Sequence, residues 1–395
     1  MRARSFALRL AILYGAIFLI VGTYTPYFPV WLHWRGFGAD EIALVLAAPQ
    51  IIRLAITPAI SFVTDRFANH RQMLILLAWG TAACMVALHW ASSFAMVFLV
   101  ASLMAVFWTT VMPLTETVAM TGVRRAGLDY GRMRLWGSLT FIVASFGGGF
   151  IIEAYGSGAA LWLLIAAAVA LIGAAHVLPR PAHRKQPVAH SIPPIRFKHA
   201  LALATTPAFL LFLIAASSIQ AGHAVYYIFG TLHWQSLGIS TGAIGFLWAI
   251  GVLAEVALFA VSGAAVMRFG PVGLILMGAA AAILRWTVTA IDPSFALLVA
   301  MQLLHGATFG ATHLGAIHFI AKAVPEALAG TAQGLYATVS GGVAMGLAMV
   351  AAGPLYATLA GKAYLAMSAL GLVGLLAGLV LALVWQKTLL LAEVE

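Results

Sequence analysis

Pro179–His199, PRPAHRKQPVAHSIPPIRFKH, divides the chain in two. The stretch holds Arg180, Arg184, Lys185, Arg196 and Lys198, no acid, and five prolines: Pro179, Pro181, Pro187, Pro193 and Pro194. Proline lacks a backbone donor and interrupts helices, so this segment reads neither as a buried helix nor as a membrane span. It is a basic linker, residues 179–199, between two apolar halves, 1–178 and 200–395. Of 395 residues 63% are hydrophobic and 8% charged, with mean hydropathy +1.02. A soluble chain carries about 25% charged residues, so water is not the main solvent here.

A membrane span takes roughly 20 apolar residues, which leaves room for about six spans in each half. Hydropathy and turn residues predict them at 8–32, 41–63, 72–91, 94–117, 133–154 and 158–178, then at 205–232, 242–266, 271–290, 294–320, 332–358 and 362–386. The expectation is an all-α membrane protein of twelve helices in two six-helix, pseudo-symmetric bundles. With the N-terminus inside, outer segments hold only Arg35 and Lys362, and Arg53 and Arg285 fall within spans. Every other one of the 21 Lys and Arg residues falls on an inner segment, so both termini are expected to be cytoplasmic. The same asymmetry accounts for the net charge of +10 without a nucleic-acid partner. The basic start MRARSFALRL precedes an apolar run too long for a signal peptide and reads as a retained first span. Cys84 is the only cysteine, so no intramolecular disulfide and no cysteine metal site is expected.

The halves read as a repeat. Leu32-His33-Trp34 with Gly38 recurs 200 residues later as Leu232-His233-Trp234 with Gly238, and after a drift of two residues Arg53 aligns with Glu255 and Arg66-Phe67 with Arg268-Phe269. Parallel six-span halves suit a transporter with its site between them near the midplane. A channel or a membrane enzyme built on an old duplication is the competing reading.

Ser61 to Arg71, SFVTDRFANHR, resembles the signature loop GxxxDRxGxx(R/K) of the major facilitator superfamily. Asp65, Arg66 and Arg71 match, while Ser61 and Ala68 replace its two glycines, and the resemblance implies a cytoplasmic gating latch. Leu128–Ser138 (LDYGRMRLWGS), Pro113–Glu116, His223–Tyr227, Leu247–Glu255, Leu284–Trp286 and Gln302–His305 together are similar to the bacterial 3-phenylpropionate permease family. That branch is itself similar to the lactose permease and nucleoside proton symporters. The resemblance implies proton-coupled uptake across a bacterial inner membrane, a chain complete as a monomer, and no cofactor; a sugar or nucleoside proton symporter and a drug/proton antiporter are the alternatives within transport.

An ionisable side chain at membrane depth costs at least about 2.5 kcal/mol, so it faces a partner or a cavity. Glu255 in the eighth span reads either as a structural partner of Arg285 in the ninth or as a proton carrier. The carrier reading is preferred, because a carrier needs competition between pairing and protonation. In the tenth span His305 and His313 stand about 80° apart and about 12 Å along the axis, so both can border one cavity. An imidazole suits a proton relay, although lone histidines in helices also serve as hydrogen-bonded core residues.

In the first half, Glu116 is expected to close the fourth span and Arg134 to open the fifth, with Trp136 just beyond. They read equally as a loop-side ion pair or as the substrate-binding pair, the latter by similarity to the lactose permease. Arg53 sits deeper, beside Gln50; an arginine fork suits a carboxylate, which places the acid end of an aromatic acid at Arg53 or Arg134. In the seventh span Gln220, His223 and Tyr227 fall at i, i+3 and i+7 on one helix face, joined by Trp248 from the eighth. Aromatic residues also serve as interfacial belts, the reading preferred for Trp31, Trp34, Trp90 and Trp234. Gly147-Gly148-Gly149 favours close packing of a gating helix.

Other classes fit less well. A haem protein would use His89, His176, His223 or His305 as ligands, but no spacing pairs them. No Ser/His/Asp, metalloprotease or Walker motif occurs, so neither an enzyme nor an ATP-driven pump is expected. The expected partners are a small-molecule substrate, protons and the lipid bilayer, with no metal.

Overall fold

The structure, a computed structural model, describes residues 3–67, 69–179 and 197–390. The central residues of the expected linker, 180–196, lie outside that range. Among the described residues there is no strand, and twelve apolar helical segments follow one another. Spans 1 to 6 are Ala3–Trp34, Ala39–Phe67, His70–Ala87, the pair Phe94–Trp108 and Val111–Ala126, Tyr130–Tyr155, and Ala159–Val177. Span 7 is Pro207–Ala221 and Ala224–Ser236, span 8 Thr241–Ala260, and span 9 Ser262–Thr289. Span 10 runs from Phe295 to Ala323, span 11 from Ala329 to Leu359, and span 12 is Tyr364–Val384.

Local chemistry sets these ends. The side chains of Asn69, Ser93 and Asp129 accept the backbone N–H of Gln72, Met96 and Arg132 and so cap spans 3, 4 and 5. Gly127, in the left-handed region, terminates span 4. Two expectations need correction. Span 4 does not end at 117, because Pro113 falls in the first turn of a renewed helix, where its missing N–H does no harm, and that helix continues to Ala126. Glu116 therefore stands more than two turns inside the helix end. Span 7 is interrupted at Gly222 and His223, so Gln220, His223 and Tyr227 do not share one continuous helical face.

The repeat survives with a changed register. Span 1 ends at Trp34 and span 7 at Ser236; Gly36 (φ 89°) and Gly238 (φ 81°) make the turns; spans 2 and 8 begin at Ala39 and Thr241. All three equivalences are 202 residues apart, the spacing that aligns Arg53 with Glu255. The Leu-His-Trp match at 200 falls two residues off it. Accordingly Trp34 is exposed where Trp234 is buried.

The chain forms two compact units. Unit 1 holds the described residues of Met1–Ala182, Tyr226–Val252 and Met349–Thr358; unit 2 holds those of His183–Val225, Leu253–Ala348 and Leu359–Glu395. In unit 1, span 1 packs along spans 5 and 6, and span 3 along spans 4 and 6. In unit 2, span 12 lies against span 9 and the first part of span 7, and span 9 against span 10. Leu10, Tyr14, Tyr27 and Phe28 of span 1 and Phe209, Phe212 and Phe319 of unit 2 are fully enclosed.

The 202-residue register is testable at its turn. A β-branched side chain is strained at positive φ, so Gly36→Val lowers stability by about 1–3 kcal/mol. Gly38 has no positive φ and nothing closer than 3.9 Å to an added Cβ, so Gly38→Ala leaves the unfolding temperature nearly unchanged; thermal unfolding of the purified protein reads both.

Candidate functional site

Span 10 positions the polar cluster of unit 2. Just after His305 its helix widens into a π-helical turn over Gly306–Ala311, a geometry common at functional sites because it re-aims side chains and loosens backbone hydrogen bonds. A Cβ on Gly306 would lie 2.8 Å from the Ala254 carbonyl oxygen of span 8. Glycine thus lets the two backbones touch, and the residue after Ala254 is Glu255.

Arg285 of span 9 is completely buried beside them. Its Nη1 donates to His305 Nδ1 at 3.1 Å and to Thr308 Oγ1 at 3.0 Å, and its Nη2 donates to Gln302 Oε1 at 2.8 Å. The guanidinium also lies over the Trp286 ring, 4.3 Å from its centroid. On the far side of His305, Nε2 is 3.8 Å from Glu255 Oε2, an ion-pair distance rather than a hydrogen bond. A guanidinium has no acceptor. His305 Nδ1 is therefore the lone-pair nitrogen, and the ring proton of neutral His305 sits on Nε2, towards Glu255.

The same reasoning orients His223, which is fully buried. Its Nδ1 lies 3.2 Å from the Ile219 carbonyl oxygen and 3.1 Å from that of Gln220, and carbonyls only accept, so Nδ1 carries the hydrogen. Its Nε2, 3.1 Å from Thr308 Oγ1, then accepts the hydroxyl proton of Thr308. Donors and acceptors run in one sense from Arg285 through Thr308 to His223. His313 joins differently: the ring of Phe309 stacks between it and His305, at centroid distances of 6.1 and 5.5 Å.

Unit 1 contributes a second cation. Arg134 Nε is 3.9 Å from Glu116 Oε1, with both side chains about a third exposed at 29% and 31%. Its guanidinium lies over the rings of Phe18 and Tyr14 at 4.1 and 5.7 Å. Trp136 is exposed on another face of the helix and is not drawn to the pair. Arg53 Nη1 donates to Gln50 Oε1 at 3.2 Å. Trp248 is buried, stacks on Tyr226 and Tyr227 at 4.3 and 6.4 Å, and donates its indole N–H to Thr231 Oγ1 at 2.9 Å. Tyr227 is half-buried, while Gln220 is enclosed in unit 2.

The loop between spans 2 and 3 departs from a simple acid–arginine cluster. Asp65, largely exposed, reaches His70 at 3.2 Å. Arg71 instead donates from Nε to the Leu178 carbonyl (2.7 Å) and from Nη2 to that of His176 (2.8 Å), binding the orphan carbonyls at the end of span 6. Arg66 is exposed. No group of three or more His, Cys, Asp or Glu residues that could hold a metal ion occurs among the described residues.

Gln302 and Thr308 are participants that the reading of charges alone passed over. Their signal was present as polar residues three before and three after His305, on the same side of the helix. Tyr14 and Phe18, one turn apart in span 1, left no such trace, since an aromatic face beneath an arginine looks like ordinary core.

Comparison with known proteins defines the class first. The family match and a 31% identical relative make the chain a multi-pass membrane transporter of the major facilitator type, and it shares its fold with the nucleoside transporter NupG at a TM-score of 0.83 and 19% identity over 97% of this chain and 99% of that one. The family follows: the MFS_1 like family matches residues 7–366, and the chain belongs to it. A probable 3-phenylpropionic acid transporter of Escherichia coli (strain K12) is 31% identical over 352 residues, 88% of this chain and 90% of that protein. The maltose permease of Geobacillus stearothermophilus is 27% identical over 378 residues, 93% of each.

The cluster around Arg285 gives a direct expectation. Gln302→Leu removes one acceptor from a buried guanidinium, a loss of about 1–3 kcal/mol. Thermal unfolding drops by several degrees, and Gln302→Glu, which keeps an acceptor, recovers most of the loss.

Proposed function

We propose that the protein is a proton-coupled symporter of a small organic carboxylate, an aromatic acid such as 3-phenylpropionate. It works by alternating access, as a monomer in a bacterial inner membrane with both termini cytoplasmic. The halves 1–178 and 200–395 are the rocking bodies, and 179–199 is the linker that lets them move.

The observation that carries this reading is the Arg285–His305–Glu255 chain across spans 9, 10 and 8, in which Arg285 and His305 are buried and Glu255 is partly exposed. Glu255 takes the proton, and His305 relays it through Nε2. A second proton on His305 must displace Arg285 from Nδ1, because two N–H groups cannot share that position. Protonation and the grip of Arg285 are therefore exclusive states, and such exclusion couples proton movement to a change in packing. His313, across the Phe309 ring from His305, is a separate proton-coupling position, since the phenyl ring passes no proton. The substrate carboxylate docks at Arg134, whose charge-assisted donors suit it, with Glu116 steering the guanidinium and Arg53 as the neighbouring cation. Tyr227 and Trp248, in the same unit as Arg134, shape the aromatic part of the path. Asp65, Arg66 and Arg71 tie the cytoplasmic ends.

The 31% identical 3-phenylpropionic acid relative supports an aromatic acid as substrate. The maltose permease, matched over 93% of both chains, favours sugar symport as the second reading.

Proteoliposomes decide between them. Wild type accumulates labelled 3-phenylpropionate under an inward proton gradient. Glu255→Gln abolishes accumulation and keeps substrate exchange. Arg134→Gln raises the half-saturating concentration about tenfold or more, since a charge-assisted pair of about 1.5–3 kcal/mol is lost. If wild type accumulates maltose or a nucleoside and no acid, the substrate assignment changes and the coupling scheme stands.

A further inference from the structure

Span 8 begins at Thr241, and its first turn leaves backbone N–H groups without helical acceptors. Ser240 provides the local cap, its Oγ accepting the Ala243 N–H at 3.3 Å. The Gly242 N–H goes elsewhere: Glu153, near the end of span 5, accepts it through Oε2 at 2.7 Å. A carboxylate 89 residues away in sequence thus caps span 8 at the positive end of its helix dipole.

The bond sits on a backbone-to-backbone crossing of spans 5 and 8, all of it within unit 1. A Cβ on Gly149 would lie 2.5 Å from the Thr241 carbonyl oxygen, and one on Gly245 would lie 2.4 Å from that of Ser145. The Tyr27 hydroxyl donates to the same Ser145 oxygen and stands 2.8 Å from the added Gly245 Cβ, so span 1 closes the joint from beneath. The glycine faces let the two backbones meet tightly. The Glu153 bond adds a directional contact at the end of the crossing.

We propose that Glu153 is the positioning residue of the outer gate, a latch that holds spans 5 and 8 together through the N-terminus of span 8 until alternating access parts them. The proposal rests on the alternating-access reading above. Glu153 is exposed, so water solvates its carboxylate once the bond opens. The latch therefore biases the closed state without locking it.

The test uses full-length protein in right-side-out vesicles and a membrane-impermeant maleimide. Ser145 is wholly buried beneath the crossing, and Ser145→Cys in a Cys84→Ala background reports outer opening. Adding Glu153→Ala raises its alkylation rate about tenfold, the equivalent of one charge-assisted hydrogen bond. Glu153→Gln, which keeps an acceptor without charge, gives a smaller rise. Gly149→Val, which wedges the crossing apart, is the companion variant. A wild-type rate in Glu153→Ala alongside a raised rate in Gly149→Val overturns the latch and leaves alternating access standing. Unchanged rates in both overturn the alternating-access reading and the latch with it. The native Cys84, buried in span 3, reports loosening of the whole bundle; faster labelling there in Glu153→Ala also overturns the latch.

Discussion

Burying the guanidinium of Arg285 is the constraint on which unit 2 depends. A charge at that depth is tolerated only where its donors find acceptors, and here three side chains of one helix, Gln302, His305 and Thr308, accept from its two Nη groups. Their i±3 spacing sets the three on one side of span 10. The bare backbone of Gly306 against Ala254 brings span 10 close to span 8. The same approach sets Glu255 beside His305.

The arginine of unit 1 is held on a different principle. Arg134 rests on aromatic faces, has a carboxylate at ion-pair distance and remains partly open. A cation over aromatic rings keeps N–H donors directed outward, whereas the donors of Arg285 are aimed at fixed acceptors. The two arginines thus differ in kind: one is partly open over aromatic rings, the other enclosed and aimed at fixed acceptors.

Span 8 joins these themes along one unbroken helix. Its capped end at Gly242 and its acid at Glu255 are thirteen residues apart, about 20 Å. Glu255 lies 3.8 Å from His305, an ion-pair distance rather than a hydrogen bond.

Much of this was legible without coordinates. Few charges, long apolar runs, a proline-rich basic linker and the lopsided distribution of Lys and Arg determine a twelve-span membrane protein, because the bilayer admits only self-satisfied helices of a set length. The rare ionisable residues Glu255, Arg285 and His305 were legible for the same reason: each is costly and so conspicuous. Tertiary structure alone decided who meets whom. It sent Arg71 to the end of span 6 rather than to Asp65, left Trp136 outside the Glu116–Arg134 pair, broke span 7 at Gly222, and moved the repeat register from the Leu-His-Trp match to 202 residues. It also set Glu153 as the cap of span 8. These outcomes depend on helix breaks, on where backbones touch at glycine and on which orphan amide or carbonyl lies within reach, and such distances have no local expression in the sequence.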